Sequence, residues 1–199
     1  VPVTQGSVTF EGLTRHDMAY LAQQSEIDRS FPLSVGDVVS MGLCPQYGFF
    51  RQIPDEAQAL ITQALEEVGM SRCVNRFLHT LSGGQFQRVL FARLSLQKAS
   101  VILLDEPFSA VDSYTIDDLI KIIQGWHGAG RTVLVVSHDV DLVREFFPES
   151  LLLVNNALAW GPTSQVATME NFKRAKKVFR DRETCICDDT SVTGGTQNV

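Results

Sequence analysis

The most informative absence in this chain is a glycine-rich phosphate loop. None of its 199 residues form the pattern G-x-x-x-x-G-K-[ST], whose backbone N–H groups and lysine hold the phosphates of a nucleotide. The chain also begins Val1-Pro2-Val3-Thr4, without a methionine, a basic region or an apolar stretch, so no secretory signal is visible. We expect from this beginning that the chain is cut at its front.

Long apolar runs and paired cysteines are scarce as well. No segment approaches the roughly 18 apolar residues that a membrane-spanning helix needs. Of the four cysteines, only Cys185 and Cys187 are close in sequence, and no histidine cluster accompanies them. Zinc sites usually combine two such pairs or add histidines at set spacing. We therefore expect reduced thiols without a metal role, in a chain that resides in the cytosol.

Charge and composition place the chain among ordinary globular proteins. Its 17 Lys and Arg residues against 23 Asp and Glu residues give a formal net charge of -6, which provides no electrostatic footprint for nucleic acid. Hydrophobic residues make up 44% of the chain and charged residues 20%. This length and composition predict one domain with a proper core and room for a subdomain.

Short apolar runs separated by helical patterns predict an α/β fold with a parallel sheet. Strands are expected at 7–10, 18–21, 101–104 and 132–136, and the last two runs are apolar on both faces. A helix between those two runs carries an apolar stripe, formed by Ile116, Leu119, Ile120, Ile123 and Trp126. We therefore expect helices to cover both faces of the sheet.

A helical insertion is expected over residues 33–80. Ser34 is suited to cap a first helix, because apolar residues follow it at helical intervals. Pro54 fits the first turn of a second helix and Gly69 its end. Towards the C-terminus the sequence predicts an edge hairpin at 151–160, a helix over 169–180 and a disordered tail over 181–199.

Two adjacent carboxylates follow the apolar run that begins at Val101. Asp105 and Glu106 are expected at the carboxyl end of a buried strand, which is where ligands bind in open α/β sheets. An aspartate there can hold Mg²⁺, and the neighbouring glutamate can polarise an attacking water. The alternative is that two acids merely end a strand at the surface. The downstream residues Pro107 and Asp112 favour a functional site over a plain strand end.

The turn Ser82-Gly83-Gly84-Gln85 precedes another predicted helix, over 86–96. Its glycines let backbone amides approach a phosphate without a Cβ in the way. The helix presents its positive N-terminal end to the same anion. Such a turn can also be only a helix cap, and the sequence leaves that alternative open.

Two further polar residues follow predicted strands. His138 lies just after the run 132–136, where its imidazole can donate to a γ-phosphate and connect it with Glu106. A lone histidine at a strand end can equally be a plain surface residue. Gln23 follows the strand at 18–21, and we prefer it to its neighbour Gln24.

Together these blocks resemble the ATPase subunit of ABC transporters. The family's Q-loop, signature, Walker B, D-loop and H-loop are matched in order by Gln23, LSGGQ at 81–85, VILLDEP at 101–107, SAVD at 109–112 and His138. The resemblance implies a P-loop NTPase-like ABC ATPase domain over 1–180 that lacks its N-terminal P-loop portion. The insertion at 33–80 would be the family's helical subdomain, and 181–199 a disordered tail.

The resemblance also implies where ATP would bind. In this family two subunits pack head to tail, and each ATP lies between the Walker A loop of one subunit and the signature of the other. Ser82, Gly83, Gly84 and Gln85 would therefore contact the γ-phosphate of the partner's ATP, and Asp112 would couple the two sites.

Further roles are implied for the residues that follow the strands. Asp105 and Gln23 would bind Mg²⁺, and Gln23 would also serve catalysis. Glu106 would be the general base and His138 would contact the γ-phosphate. Residues around 33–50 would meet a membrane permease, and a periplasmic or surface substrate-binding protein would act with that permease. The subunit would lie on the cytoplasmic face of the plasma membrane, with no nucleic acid partner.

A subfamily resemblance follows from three segments. SEIDRSFPLSV at 25–35, DVVSMG at 37–42 and WGPT at 160–163 are similar to importer ATPases for zinc, manganese or iron. The transported metal would be handled by other subunits, so these residues do not identify it.

The absent P-loop has a functional consequence. Phosphoryl transfer depends mainly on positioning and charge stabilisation, so the chain as given should bind ATP weakly in its own site and hydrolyse it negligibly. The chain is then either an incomplete part of a working importer ATPase or a degenerate subunit that lends its signature to a complete partner. A DNA-acting relative is disfavoured, because the gap from Gln23 to Leu81 leaves no room for a coiled-coil arm.

Overall fold

We describe the fold from a computed structural model. It describes residues 5–7, 9, 11–14, 17–23, 28–48, 54–109, 111–154 and 156–188. The chain divides into two compact units, Val1–His138 and Asp139–Val199. Of the strand expected at 7–10, only residues 7 and 9 are described, and neither is in a strand.

Three strands and five α-helices are described in the first unit. In chain order they are β1 (Met18–Leu21), α1 (Val35–Ser40), α2 (Cys44–Tyr47), α3 (Asp55–Glu67), α4 (Gly83–Leu96), β2 (Val101–Asp105), α5 (Ser113–Gly128) and β3 (Thr132–Val136). Short 3-10 turns at Met41–Leu43, Ser71–Cys73 and Leu78–Thr80 lie between the helices.

The strands form the parallel sheet that the apolar runs predict. Its order is β1-β2-β3, so β2 pairs with both neighbours. Leu21 lies opposite Leu104, and Asp105 lies opposite Val136. Because all three strands run the same way, their carboxyl ends meet at one edge of the sheet.

Helix α4 lies in the core of the first unit. It contacts α1, α3 and β1, and it also meets α5. Phe86 and Phe91 of α4 have no exposed surface, and the Phe91 ring stacks on Trp126 of α5 with centroids 5.3 Å apart. An aromatic pair of this kind stabilises a core by about 1 kcal/mol beyond the area that it buries.

The two faces of the sheet differ in burial. Ala19, Leu21, Ile102 and Leu104 share one face and are buried, as the sequence predicts. On the other face, three apolar side chains are more than half exposed: Tyr20 (56%), Leu134 (55%) and Val136 (52%). Within the described residues, only one face of the sheet is therefore covered, whereas the sequence predicts helices on both faces.

Capping residues set where the helices of this unit begin. Ser34 caps α1 as expected, and its hydroxyl accepts a hydrogen bond from the backbone N–H of Asp37. Helix α4 begins at Gly83 rather than at Phe86, because Ser82 and Gln85 form a second capping box. Helix α3 begins at Asp55, so Pro54 is its N-cap rather than part of its first turn. The helix ends before Gly69 as expected, and Gly69 has φ of +69°.

The second unit consists of a hairpin and helices. Its described elements are α6 (Val140–Phe146), β4 (Glu149–Val154), β5 (Asn156–Pro162), α7 (Thr163–Val166) and α8 (Met169–Asp188). The predicted hairpin is the antiparallel pair β4 and β5, with a register shift between Leu152 and Leu153.

The terminal helix is longer than the sequence predicts. Helix α8 extends to Asp188, so residues 181–188 are helical. The predicted start of the disordered tail at residue 181 was therefore too early. The sequence 181–188 holds no glycine or proline that would end a helix. Residues 189–199 lie outside the described residues. In the part of the chain that is described, no helix is both long enough and apolar enough to span a bilayer.

Candidate active site

The polar residues that follow the strands lie at one edge of the sheet. Gln23 comes two residues after β1, Glu106 directly after β2, and His138 two residues after β3. We call Gln23, Asp105, Glu106 and His138 the sheet-edge group. Parallel pairing brings the ends of these strands together, so the group forms from three distant parts of the sequence.

Within this group, Glu106 and His138 are joined by a hydrogen bond. Nδ1 of His138 lies 2.8 Å from Oε2 of Glu106. The glutamate side chain is 18% exposed and the imidazole is 78% exposed. The pair therefore presents a carboxylate that is held in place from one side and an imidazole that is open to solvent, an arrangement suited to proton transfer.

The backbone at Glu106 is strained. Its φ of +47° lies in the left-handed region, and Glu106 is the one described residue other than glycine with a positive φ. Its backbone N–H still donates to the carbonyl oxygen of Val136 (3.0 Å), so the β2–β3 ladder continues up to this residue. Strain of this kind persists where the surroundings fix the conformation, and it is frequent in active sites.

Asp105 has a partner that the sequence did not reveal. The hydroxyl of Tyr20 donates to Oδ2 of Asp105 over 3.2 Å. Tyr20 lies opposite Leu103 in the register of β1 and β2, so it sits on the same face as Asp105. The tyrosine orients the carboxylate from the neighbouring strand. Only knowledge of the register could have identified this contact.

The turn at Ser82–Gln85 is both a helix cap and a solvent-facing surface. The Ser82 hydroxyl accepts from the backbone N–H of Gln85, and the Gln85 side chain accepts from the backbone N–H of Ser82, each over 3.2 Å. Ser82 is exposed, Gly83 and Gln85 are half-buried, and Gly84 is buried. The capping alternative is thus correct as local structure, and the turn still places a helix N-terminus at the surface.

Gly84 packs closely against the start of α5. A Cβ at this position would lie 3.2 Å from both Oδ2 of Asp112 and Oγ1 of Thr115. Asp112 is the N-cap of α5, where its Oδ1 accepts from the backbone N–H of Thr115 (2.9 Å) and its Oδ2 from the Thr115 hydroxyl (2.9 Å). These hydrogen bonds hold the pKa of the Asp112 carboxyl below its ordinary value. We call Ser82, Gly83, Gly84, Gln85 and Asp112 the signature group.

Arg88, which the sequence did not single out, extends the contacts of this group. Its Nη2 donates to Oδ2 of Asp118 (2.7 Å) and to Oγ1 of Thr115 (3.4 Å), and its Nη1 donates to the carbonyl oxygen of Val68 (3.2 Å). Hydrogen bonding to Arg88, then to Lys121, lowers the pKa of Asp118. The D-x-x-T spacing from Asp112 to Thr115 is a capping signal that could have revealed part of this network.

Phe86, the residue that follows the signature turn, contacts Arg29. The Arg29 guanidinium lies 4.1 Å from the centroid of the buried Phe86 ring. Gln23 is exposed at the end of β1. The sequence-predicted residues therefore form two groups, one at the ends of the strands and one at the start of α4 and α5.

Comparison with known proteins shows the family of this chain. The family described as ABC transporter matches residues 2–109 of the chain. The manganese transport system ATP-binding protein of Listeria monocytogenes is 36% identical over 179 residues, which cover 88% of this chain and 75% of that protein. The chain belongs to the ATP-binding subunits of ABC transporters. Complete members of this family bind and hydrolyse ATP, dimerise and work with membrane permease subunits.

Two further matches are described in terms of metal transport. The zinc transport system ATP-binding protein of Treponema pallidum is 37% identical over 88% of this chain and 67% of its own length. A solved inward-facing ABC transporter, described as metal-chelate type, shares 28% identity with a TM-score of 0.71. That match covers 78% of this chain, which spans 61% of the length of the solved one.

Proposed function

We propose that this chain is part of an ATP-hydrolysing subunit that drives import of a divalent metal ion such as manganese, zinc or iron, and that it needs a P-loop segment in order to hydrolyse ATP. The single observation that carries the enzymatic part is the 2.8 Å hydrogen bond between Glu106 and His138 at the end of the strand that bears Asp105. The metal part rests on the names of the relatives, which are manganese, zinc and chelated iron transport proteins.

The sheet-edge group would perform the chemistry. Glu106 would accept a proton from the attacking water, and His138 would hold that carboxylate in place and contact the γ-phosphate. Gln23, at the same edge, would help to position the water. A degenerate, catalytically dead subunit would have no chemical need for the pair of Glu106 and His138, so the presence of this pair favours an active ATPase.

Magnesium fits the oxygen ligands at this edge. Within the described residues, no group of three or more His, Cys, Asp or Glu side chains is placed to hold a metal ion. Mg²⁺ needs no such cage, because it usually binds one or two carboxylates together with substrate phosphates and water. Asp105 and the amide oxygen of Gln23 would supply the protein ligands, and the ion would neutralise charge on the phosphates.

The signature group would act on a second nucleotide. Ser82, Gly83, Gly84 and Gln85 lie at the start of α4, where backbone N–H groups and the helix dipole favour an anion. In a head-to-tail pair, this surface would contact the γ-phosphate that the partner holds, and Asp112 would couple the two sites.

A P-loop segment upstream of Val1 would complete the ATPase domain proposed over residues 1–180. One sheet face exposes Tyr20, Leu134 and Val136 by more than half, next to Asp105. Contiguous exposed apolar surface of this kind is typical of a contact with another part of a protein. A P-loop and the helix after it would cover that face and hold the phosphates against the sheet-edge group.

The remaining proposals concern partners and place. The helical subdomain at 33–80 would contact a membrane permease through residues around 33–50, and a substrate-binding protein would act with that permease. The subunit would be peripheral on the cytoplasmic face of the plasma membrane. Co-purification with a permease, and metal-dependent growth of a deletion strain, would test these proposals.

A phosphate-release assay tests the enzymatic proposal. The chain as given should show negligible ATP turnover, whereas the complete subunit, with a P-loop segment upstream of Val1, should be active. The Glu106→Gln form of the complete subunit is the negative control. Equal turnover by the two chain lengths would contradict the proposal.

A further inference from the structure

A chain of hydrogen bonds connects Arg88 with Asp112 through Thr115. Nη2 of Arg88 donates to the Thr115 hydroxyl (3.4 Å), and that hydroxyl donates to Oδ2 of Asp112 (2.9 Å). Thr115 is only 6% exposed. A buried hydroxyl that accepts from one residue and donates to the next has a fixed orientation, so it transmits position between them.

The same guanidinium joins three helices. Besides Thr115, Arg88 binds Asp118 of α5 (2.7 Å) and the carbonyl oxygen of Val68 at the end of α3 (3.2 Å). The Arg88 side chain is 20% exposed, so solvent screens these contacts only in part. Its planar fork of donors can serve several acceptors in fixed directions, which a lysine cannot do.

Gly84 lies between this network and the surface turn. Arg88 is one helical turn after Gly84 in α4, so the two residues share a helix face. A Cβ on Gly84 would approach Asp112 and Thr115 to 3.2 Å, so the glycine allows the turn to rest directly on the network. The signature turn therefore rests against Asp112 and Thr115, and the Thr115 hydroxyl accepts a hydrogen bond from Arg88.

We propose that Arg88 and Thr115 are positioning residues that hold the signature turn and Asp112 as one rigid surface for the partner's nucleotide. The proposal rests on the proposed function, since it assumes that this surface closes on ATP held by a second subunit. Neither residue touches the nucleotide. They reduce the freedom that the turn would otherwise lose on docking, which is how preorganisation raises affinity.

ATP-driven dimer formation by the complete subunit tests this proposal. The Glu106→Gln form is used as the parent so that ATP persists, and the dimer fraction is measured by light scattering against ATP concentration. Arg88→Lys keeps the charge without the fork, and Thr115→Val keeps the shape without the hydroxyl. Each should raise the ATP concentration for half-maximal dimer formation by roughly tenfold, the effect of one lost charge-assisted or buried hydrogen bond.

Two matched variants separate positioning from general stability. Thr115→Ser retains the hydroxyl and should restore parental dimer formation. Lys121→Ala removes the other, exposed partner of Asp118 and should behave like the parent. For all variants, the affinity of the monomer for a fluorescent ATP analogue should stay within about twofold of the parent, because the subunit's own P-loop is not altered.

Three results would overturn the proposal. Parental dimer formation by both Arg88→Lys and Thr115→Val would show that the network does not position the turn. An equal defect in Thr115→Ser, in step with a lower melting temperature, would assign the network a structural role alone. If the parent itself does not dimerise with ATP, the proposed function fails and this inference fails with it.

Discussion

The sheet-edge group and the signature group are supported in different ways. Glu106 and His138 stand at strand ends beside a half-exposed sheet face, with strained backbone at the glutamate. The signature turn is held instead by a capping box and packs against the buried Thr115, whose hydroxyl accepts a hydrogen bond from Arg88. The comparison teaches that the proposed docking surface is held by contacts among described residues, whereas the sheet face beside the proposed chemical group is half-exposed.

The largest expected effect comes from removing the proposed general base of the sheet-edge group. Glu106→Gln in the complete subunit should lower kcat by about 10²- to 10⁴-fold, because a positioned general base contributes that much. Phosphate release measures the rate, and ATP binding should persist. Asp117→Asn removes an exposed carboxylate of α5 and serves as the matched control. Full turnover by Glu106→Gln would remove the sheet-edge group from catalysis.

A smaller effect is expected where the signature turn meets α5. Gly84→Ala should lower the free energy of unfolding by about 2 kcal/mol, because its Cβ would crowd Asp112 and Thr115 in a packed region. Gly125 is the control, since a Cβ there would meet nothing within 4 Å. Gly125→Ala should stabilise the chain by about 0.5–1 kcal/mol. Urea unfolding measures both, and equal outcomes would contradict the close contact at Gly84.

The two capping boxes permit a sharper comparison. Ser82→Ala and Ser34→Ala each remove a hydroxyl that caps a helix, and each should cost about 1 kcal/mol in the free energy of unfolding. Only Ser82→Ala should also weaken ATP-driven dimer formation by the complete subunit. If both serines affect dimer formation equally, the turn at Ser82 acts only as a cap.

The smallest effect concerns the pH dependence of the Arg88 contacts. Arg88 lowers the pKa of Asp118, so this carboxylate stabilises the fold above its unfolded pKa, and the effect is lost as pH falls through the folded pKa. Near neutral pH, Asp118→Asn should cost about 0.5 kcal/mol, since the carboxylate is 45% exposed and partly screened. Urea unfolding at neutral and strongly acidic pH should show this difference shrinking. A difference that grows on acidification would contradict the assignment.

Sequence patterns predicted much of the fold because periodicity and capping are local. The runs at 18–21, 101–104 and 132–136 became parallel strands, and Ser34 and Gly69 mark helix ends as expected. The boundaries of α4 and α8 were less accurate. The start of α4 was predicted too late, because its first two residues are glycines. The end of α8 was predicted too early, because the residues after 180 are compatible with a helix.

The site was predictable as a set of residues but not as a set of contacts. The pairing of Glu106 with His138 followed from strand ends that share one edge. Tyr20 and Arg88 were missed, because their partners are far away in sequence and depend on strand register and helix packing. The left-handed backbone of Glu106 also carries no local sequence signal.

The most direct test of head-to-tail action mixes two inactive variants of the complete subunit. Gly83→Asp places a negative charge where the partner's phosphate would bind, and Glu106→Gln removes the base. If the two groups act on different nucleotides, an equal mixture should regain about a quarter of wild-type phosphate release, because half of the dimers then hold one intact site. Activity that stays at the level of the separate variants would show that both groups act within one subunit.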